Sequence, residues 1–120
     1  LNKLIGAVWE GPPHPVGRVL AEGDEVAGFR VIHAPGHAPS EVIFFRDSDR
    51  VAICGDVVNT MNLVTTRPGI REPPDAFSLD PARNRESIKL LAELEPSLIC
   101  AGHGPPSRDL QGLKKLAASF

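Results

Sequence analysis

Three short segments of this 120-residue chain each place a potential metal ligand in a Gly- or Pro-bearing loop just after an apolar run. They are Ala34-Pro35-Gly36-His37, Ile53-Cys54-Gly55-Asp56 and Cys100-Ala101-Gly102-His103-Gly104-Pro105. Asp56 follows His37 by 19 positions, and His103 follows Asp56 by 47. Two imidazoles and a carboxylate form a nitrogen–oxygen donor set suited to Zn²⁺, and also to Fe or Mn. A ligand at the C-terminal end of a strand is held by a stiff element yet points out of the core. In α/β sheets that edge is where sites are built, and glycine lets the backbone turn sharply there. Taken singly, each segment also has an ordinary reading. His37 between prolines suits a solvated loop, and Gly55-Asp56 suits an Asx turn. Their common order, each after a strand, is what points to a shared site.

The elements that must hold these residues follow from the pattern of the chain. Phe29–His33, Glu41–Phe45, Val51–Cys54 and Leu98–Ala101 read as strands, rich in β-branched and aromatic residues and bounded by turn formers. Val16–Leu20 reads as a short edge strand, and Ala21–Glu25 as a turn. Leu4–Trp9 is a short apolar run, ended by the prolines at 12, 13 and 15. Residues 57–79, with Pro68, Pro73 and Pro74, read as one long irregular loop. Asp80 then suits a helix N-cap with Pro81 in the first helical position. Ile88, Leu91 and Leu94, widened by Leu90, form the apolar stripe that Pro96 closes. A second amphipathic helix is expected over Asp109–Ser119, with Leu110, Leu113, Leu116 and Ala117 inward. The order predicts an α/β fold in a single domain over 1–120: one mostly antiparallel or mixed sheet with two helices on one face.

Bulk properties narrow the function. Net charge is −2 and the 13 basic residues are scattered, which argues against nucleic acid or an anionic membrane as partner. No apolar run approaches the roughly 18 residues needed to span a bilayer. Leu1–Glu10 lacks the charged, apolar, small-residue order of a signal peptide. Cys54 and Cys100 both sit in apolar strands and read as free thiols, as expected in a reducing, cytoplasmic compartment. The chain contains no Gly-x-Ser-x-Gly, no phosphate-binding Gly-rich loop and no Cys-x-x-Cys.

Pro35-Gly36-His37, then Gly55-Asp56, then Gly102-His103-Gly104 resembles the second half of the metallo-β-lactamase superfamily. The resemblance runs from about Val16 to the end and includes the helix that opens at Asp80-Pro81. It implies the C-terminal half of a four-layer αβ/βα sandwich with a two-metal site at one edge. On that resemblance His37 would bind a first metal, Asp56 would bridge both, and His103 would bind the second. A metal-bound hydroxide would attack an ester, thioester, lactone or similar bond of a small-molecule substrate.

The chain departs from the family pattern in two places. Its four histidines are His14, His33, His37 and His103, and none begins the His-x-His-x-Asp-His run that supplies the family's remaining ligands. One histidine and a shared carboxylate per metal fall short of the three or four protein ligands of a tight zinc site. Weak metal binding and no meaningful turnover by the chain alone are therefore expected. Second, Gly36-His37-Ala38-Pro39-Ser40-Glu41 puts Glu41 where the family often has a second, non-ligating histidine. A rival expectation is an inactive half-domain working through an interface, as a homo-oligomer or paired with an N-terminal half, because half a sandwich exposes a sheet face. His33 is read as a strand histidine or a partner to a ligand, His14 as an exposed loop residue, and Trp9 as core. Asn59 and Thr60 either face substrate or cap their loop. Arg67, Arg71 and Arg83 either meet an anionic substrate or are solvated.

Overall fold

The computed structural model describes residues 12–120. The expected run Leu4–Trp9, with Trp9, lies outside the described residues. A hairpin opens the sheet: β1 (Glu25–Val26) and β2 (Phe29–His33) pair with Val26 opposite Phe29. Ala27 and Gly28 between them both have positive φ, the geometry that matches the twist of a two-residue hairpin. The edge strand expected at Val16–Leu20 does not form. Val16 and Val19 are exposed, and the edge ladder is made by Glu25–Val26, which the hairpin turn brings into register.

β3 (Val42–Arg46) and β4 (Val51–Gly55) continue the sheet antiparallel. The last strand, β7 (Leu98–Ala101), pairs parallel with β4, so the order is β1-β2-β3-β4-β7 and the sheet is mixed. A parallel neighbour needs a long crossover. Here it contains β5 (Asn59–Met61), β6 (Pro68–Arg71), a 3₁₀ turn (Asp75–Phe77) and helix α1 (Pro81–Glu93). α2 (Leu110–Ala117) follows β7. The fold class expected from the sequence is therefore what forms: α/β, a mixed sheet and two helices.

Residues 57–79 are more ordered than the irregular loop expected of them. Val57, Val58, Asn59 and Thr60 are buried, and β5 and β6 form a separate antiparallel pair. The three prolines concealed this. Pro68 begins a strand, a position where its missing N–H is tolerated, while Pro73 and Pro74 precede the 3₁₀ turn. Strands of three and four residues are too short to display a period.

α1 starts as its sequence dictates, with the Asp80 carboxylate accepting from the Arg83 N–H at 3.0 Å and Pro81 in the first turn. It ends where Glu95 adopts a left-handed φ of 49° and Arg50 Nε donates to the Glu95 carbonyl at 2.9 Å. α2 is capped by Asp109, which accepts from Gly112 N–H at 2.8 Å. Ile88 and Leu91 of α1 and Leu113 of α2 are fully buried. They join Ile32, Ile43, Phe45, Ala52, Cys54 and Ile99 in one cluster, so both helices bury their apolar sides on the same sheet face. Leu90, Leu94, Leu110, Leu116 and Ala117 pack against that cluster from its margin. No described helix is long and apolar enough to cross a membrane.

Both cysteines are free. Cys54 lies in the helix-side cluster, and burial pushes its thiol up to about 12, which keeps it protonated and unreactive. Cys100 is in register with Ile53, whose alternation places both on the opposite face. Leu91→Ala, which empties a fully buried site in the cluster, should lower unfolding stability by about 2–5 kcal/mol in chemical denaturation followed by circular dichroism.

Candidate metal centre

The β4–β7 pairing sets up the site. Gly55 lies opposite Ala101, and the ladder is extended by Gly102 N–H donating to the Gly55 carbonyl at 2.7 Å. A ligand candidate directly follows each of these two glycines. Asp56 and His103, distant in sequence, meet with His103 Nδ1 2.6 Å from Asp56 Oδ1. His37 arrives from the loop after β2, with Nε2 3.5 Å from Asp56 Oδ2. The Asp56 carboxylate thus lies between two imidazoles, one on each oxygen. All three residues predicted from the sequence share one cavity of about 300 Å³.

The two contacts differ in kind. At 2.6 Å the His103 contact is a hydrogen bond, and with the proton on Nδ1 it leaves Nε2 as the free donor atom of that ring. At 3.5 Å the His37 contact is long for a hydrogen bond. Two ligand atoms about 2.1 Å from one tetrahedral ion stand roughly 3.4 Å apart, so the His37–Asp56 spacing fits a shared metal. The fit is partial. Among the described residues no group of three or more His, Cys, Asp or Glu side chains is arranged to hold an ion. The donors suit Zn²⁺, Fe or Mn, and the described residues bring together two imidazoles and one carboxylate.

Each ligand loop is tied down by residues whose roles the sequence hid. Asp56 N–H donates to Glu41 Oε1 at 3.2 Å, so the residue that replaces the family's usual second histidine holds the Asp56 backbone. Thr60 clamps the last loop: its N–H donates to the His103 carbonyl at 3.0 Å and its hydroxyl to the Pro105 carbonyl at 2.6 Å. The loop comes so close that a Cβ on Gly104, at φ 110°, would overlap the Thr60 hydroxyl. Ser78 Oγ stands 3.4 Å from His37 Nδ1. These partners are ordinary loop and strand residues in the sequence, and only tertiary contact reveals them.

The remaining cavity wall is apolar, made by Leu63, Pro73, Pro74 and Phe77, with Asn59 as an added polar group. Asn59 is buried, and its Oδ1 has no hydrogen-bond partner among the described residues. None of Arg67, Arg71 and Arg83 lines this cavity. Arg83 instead borders a neighbouring cavity with His33, whose Nε2 lies 3.2 Å from the Pro39 carbonyl. His33 is exposed and touches the His37 loop without touching a ligand side chain; His14 is exposed as expected.

The model of the metallo-beta-lactamase superfamily matches residues 3–103. The chain belongs to the metallo-β-lactamase superfamily. Among curated relatives, the probable metallo-hydrolase YflN of Bacillus subtilis (strain 168) is 37% identical over 81 residues, which are 62% of this chain and 31% of that protein. The probable metallo-hydrolase YybB of the same strain is 31% identical over 70 residues, 58% of this chain and 30% of that protein. The matched stretch is thus about three-tenths of either relative. The crystal structure of TTHA1623 in a di-iron-bound form superposes with a TM-score of 0.70 at 30% identity, covering 98% of this chain and 57% of that one. A metallo-beta-lactamase family protein of Thermus thermophilus, TTHA1429, superposes at 0.59 with 29% identity over 90% of this chain and 36% of its own. At this coarse level the superfamily is one of metal-dependent hydrolases, and the chain spans only part of the length of the relatives it matches.

Gly36 tests how tightly the His37 loop is built. It has φ 143°, and a Cβ there would overlap the Asn84 backbone. Gly36→Ala should therefore cost about 1–3 kcal/mol of stability in denaturant titration.

Proposed function

We propose that this chain supplies the His37–Asp56–His103 arm of a metal-dependent hydrolase acting on an ester, thioester, lactone or similar bond. The observation that carries the reading is the Asp56 carboxylate flanked by both imidazoles in one cavity, at 2.6 and 3.5 Å. His37 and Asp56 would hold one metal, and His103, with Nδ1 engaged by Asp56, would offer Nε2 to a second. Zn²⁺ is the first choice, with Fe or Mn also compatible; the related TTHA1623 was crystallised in a di-iron-bound form. A bound metal lowers the pKa of its water toward neutrality and polarises the scissile group. The chain's own part is to hold Asp56 in place through Glu41 and the β4–β7 ladder, and to present His103 Nε2 by engaging Nδ1. The wall of Leu63, Pro73, Pro74 and Phe77 suits the hydrocarbon part of a small substrate.

This chain brings one histidine and a carboxylate to one metal position and one histidine to the other, so by itself it should bind weakly and turn over little. Zinc titration by calorimetry should give weak, saturable binding that falls at least tenfold in Asp56→Ala and His37→Ala, with no turnover of a thioester and lactone panel. Binding unchanged in Asp56→Ala would refute the ligand assignment. Brisk turnover would refute the incompleteness of the shell.

A second reading, an interface role without catalysis, is favoured by the sheet face opposite the helices. Val31, Phe44, Ile53 and Cys100 stand in one cross-strand row there, and Ile53 is 42% exposed. Val42 and Phe44 are only half-buried, and with Ile53 they line a shallow cavity. The 57% coverage of TTHA1623 supports a second αβ layer as the occupant of this face. In the isolated chain a second copy would take its place, so light scattering after size exclusion should report a dimer. A compact monomer at tens of micromolar concentration would count against this reading.

A further inference from the structure

Asn84 is the fourth residue of α1 and is completely buried on the side of the helix that faces the site loops. Its Nδ2 donates to the Val57 carbonyl at 3.1 Å. Val57 directly follows Asp56. On the other side, the Asn84 backbone is the surface against which Gly36 packs, closely enough that no Cβ would fit. Gly36 directly precedes His37. One residue therefore touches the chain neighbour of each of two ligand candidates.

Of the two arms, the other hydrogen bonds of α1 and the segment before it reach only the His37 arm. Asp80 N–H donates to the Gly36 carbonyl at 2.9 Å, Leu79 N–H to the His37 carbonyl at 3.2 Å, and Ser87 Oγ to the Pro35 carbonyl at 2.8 Å. All three fasten the His37 loop to α1 and the segment before it. Among the described residues, the bond from Asn84 to Val57 is the side-chain hydrogen bond that ties α1 to the Asp56 arm.

Asn84 is poorly suited to a purely stabilising role. Its Oδ1 is buried without a hydrogen-bond partner among the described residues. Turning the amide over would set Oδ1 against the Val57 carbonyl and lose the bond it makes, so the orientation is determined. A buried acceptor without a partner offsets part of what the Val57 bond contributes to stability.

We propose that Asn84 is a positioning residue that sets the spacing between His37 and Asp56. The proposal rests on the reading that these two residues hold a metal. It locates the 3.5 Å separation of Nε2 and Oδ2 in a bond made outside the cavity, since Asn84 does not itself line it.

The test uses Co²⁺ as the probe, because its visible absorption reports ligand geometry as well as occupancy. The full 120-residue chain and its Asn84→Leu variant are titrated with Co²⁺, and both are melted without metal by circular dichroism. The expected result is a folded Asn84→Leu that still melts cooperatively, with Co²⁺ affinity reduced tenfold or more and an altered visible band. Equal affinity and an equal band in a folded Asn84→Leu would overturn the proposal. If Asn84→Leu does not fold, Asn84→Ser, which is too short to reach Val57, is judged by the same two readings. Loss of fold in both variants would make Asn84 a structural residue and also overturn the proposal. Absence of Co²⁺ binding by the unsubstituted chain is a different failure: it removes the metal reading on which the proposal stands.

Discussion

The parallel pairing of β4 with β7 is the constraint on which the site depends. It brings Gly55 opposite Ala101 and lets Gly102 bond back to Gly55, so Asp56 and His103 leave the sheet side by side. Parallel strands cannot be joined by a tight turn. The chain therefore needs the long crossover that contains β5, β6 and α1. The same crossover then supplies the parts that hold the ligand loops, from Thr60 at its beginning to Ser78 and Asn84 near its end. Topology and site are in this sense one construction.

The ligands themselves sit on loops, yet each loop is fastened by main-chain groups. Glu41 holds Asp56 by its N–H, Thr60 holds the carbonyls of His103 and Pro105, and Asp80 and Leu79 hold the carbonyls of Gly36 and His37. Fixing a backbone leaves the side chain free to meet a metal or a substrate. Glycine is required where these approaches are closest. At Gly36 and Gly104 both the positive φ and the absence of room for a Cβ exclude other residues. The Oδ1 atoms of Asn59 and Asn84, buried without a hydrogen-bond partner among the described residues, lie beside the same loops.

The helices and the sheet divide the chain into a finished side and an open one. One face of the sheet is closed by Ile88, Leu91 and Leu113, while the other presents half-buried Phe44 and exposed Ile53. This chain spans 57% of TTHA1623 and 36% of TTHA1429.

The fold class, four main strands and both helices were legible in the sequence, because β-branched runs, the Asp80-Pro81 start and the Ile88–Leu91 stripe are local signals. So were His37, Asp56 and His103, since each follows a recognisable strand. The β5–β6 ribbon was hidden by its prolines and its short strands, and the edge hairpin by a turn lacking the usual Asn-Gly pair. The partners of the ligand loops were not legible at all. Glu41, Thr60, Ser87 and Asn84 act across separations of 15 to 52 residues. No local pattern encodes such contacts. The sequence by itself determined which side chains could bind a metal and which elements would carry them. The tertiary structure alone decided that His37 and His103 meet on opposite oxygens of one carboxylate, because only strand pairing and helix packing bring those distant backbones together.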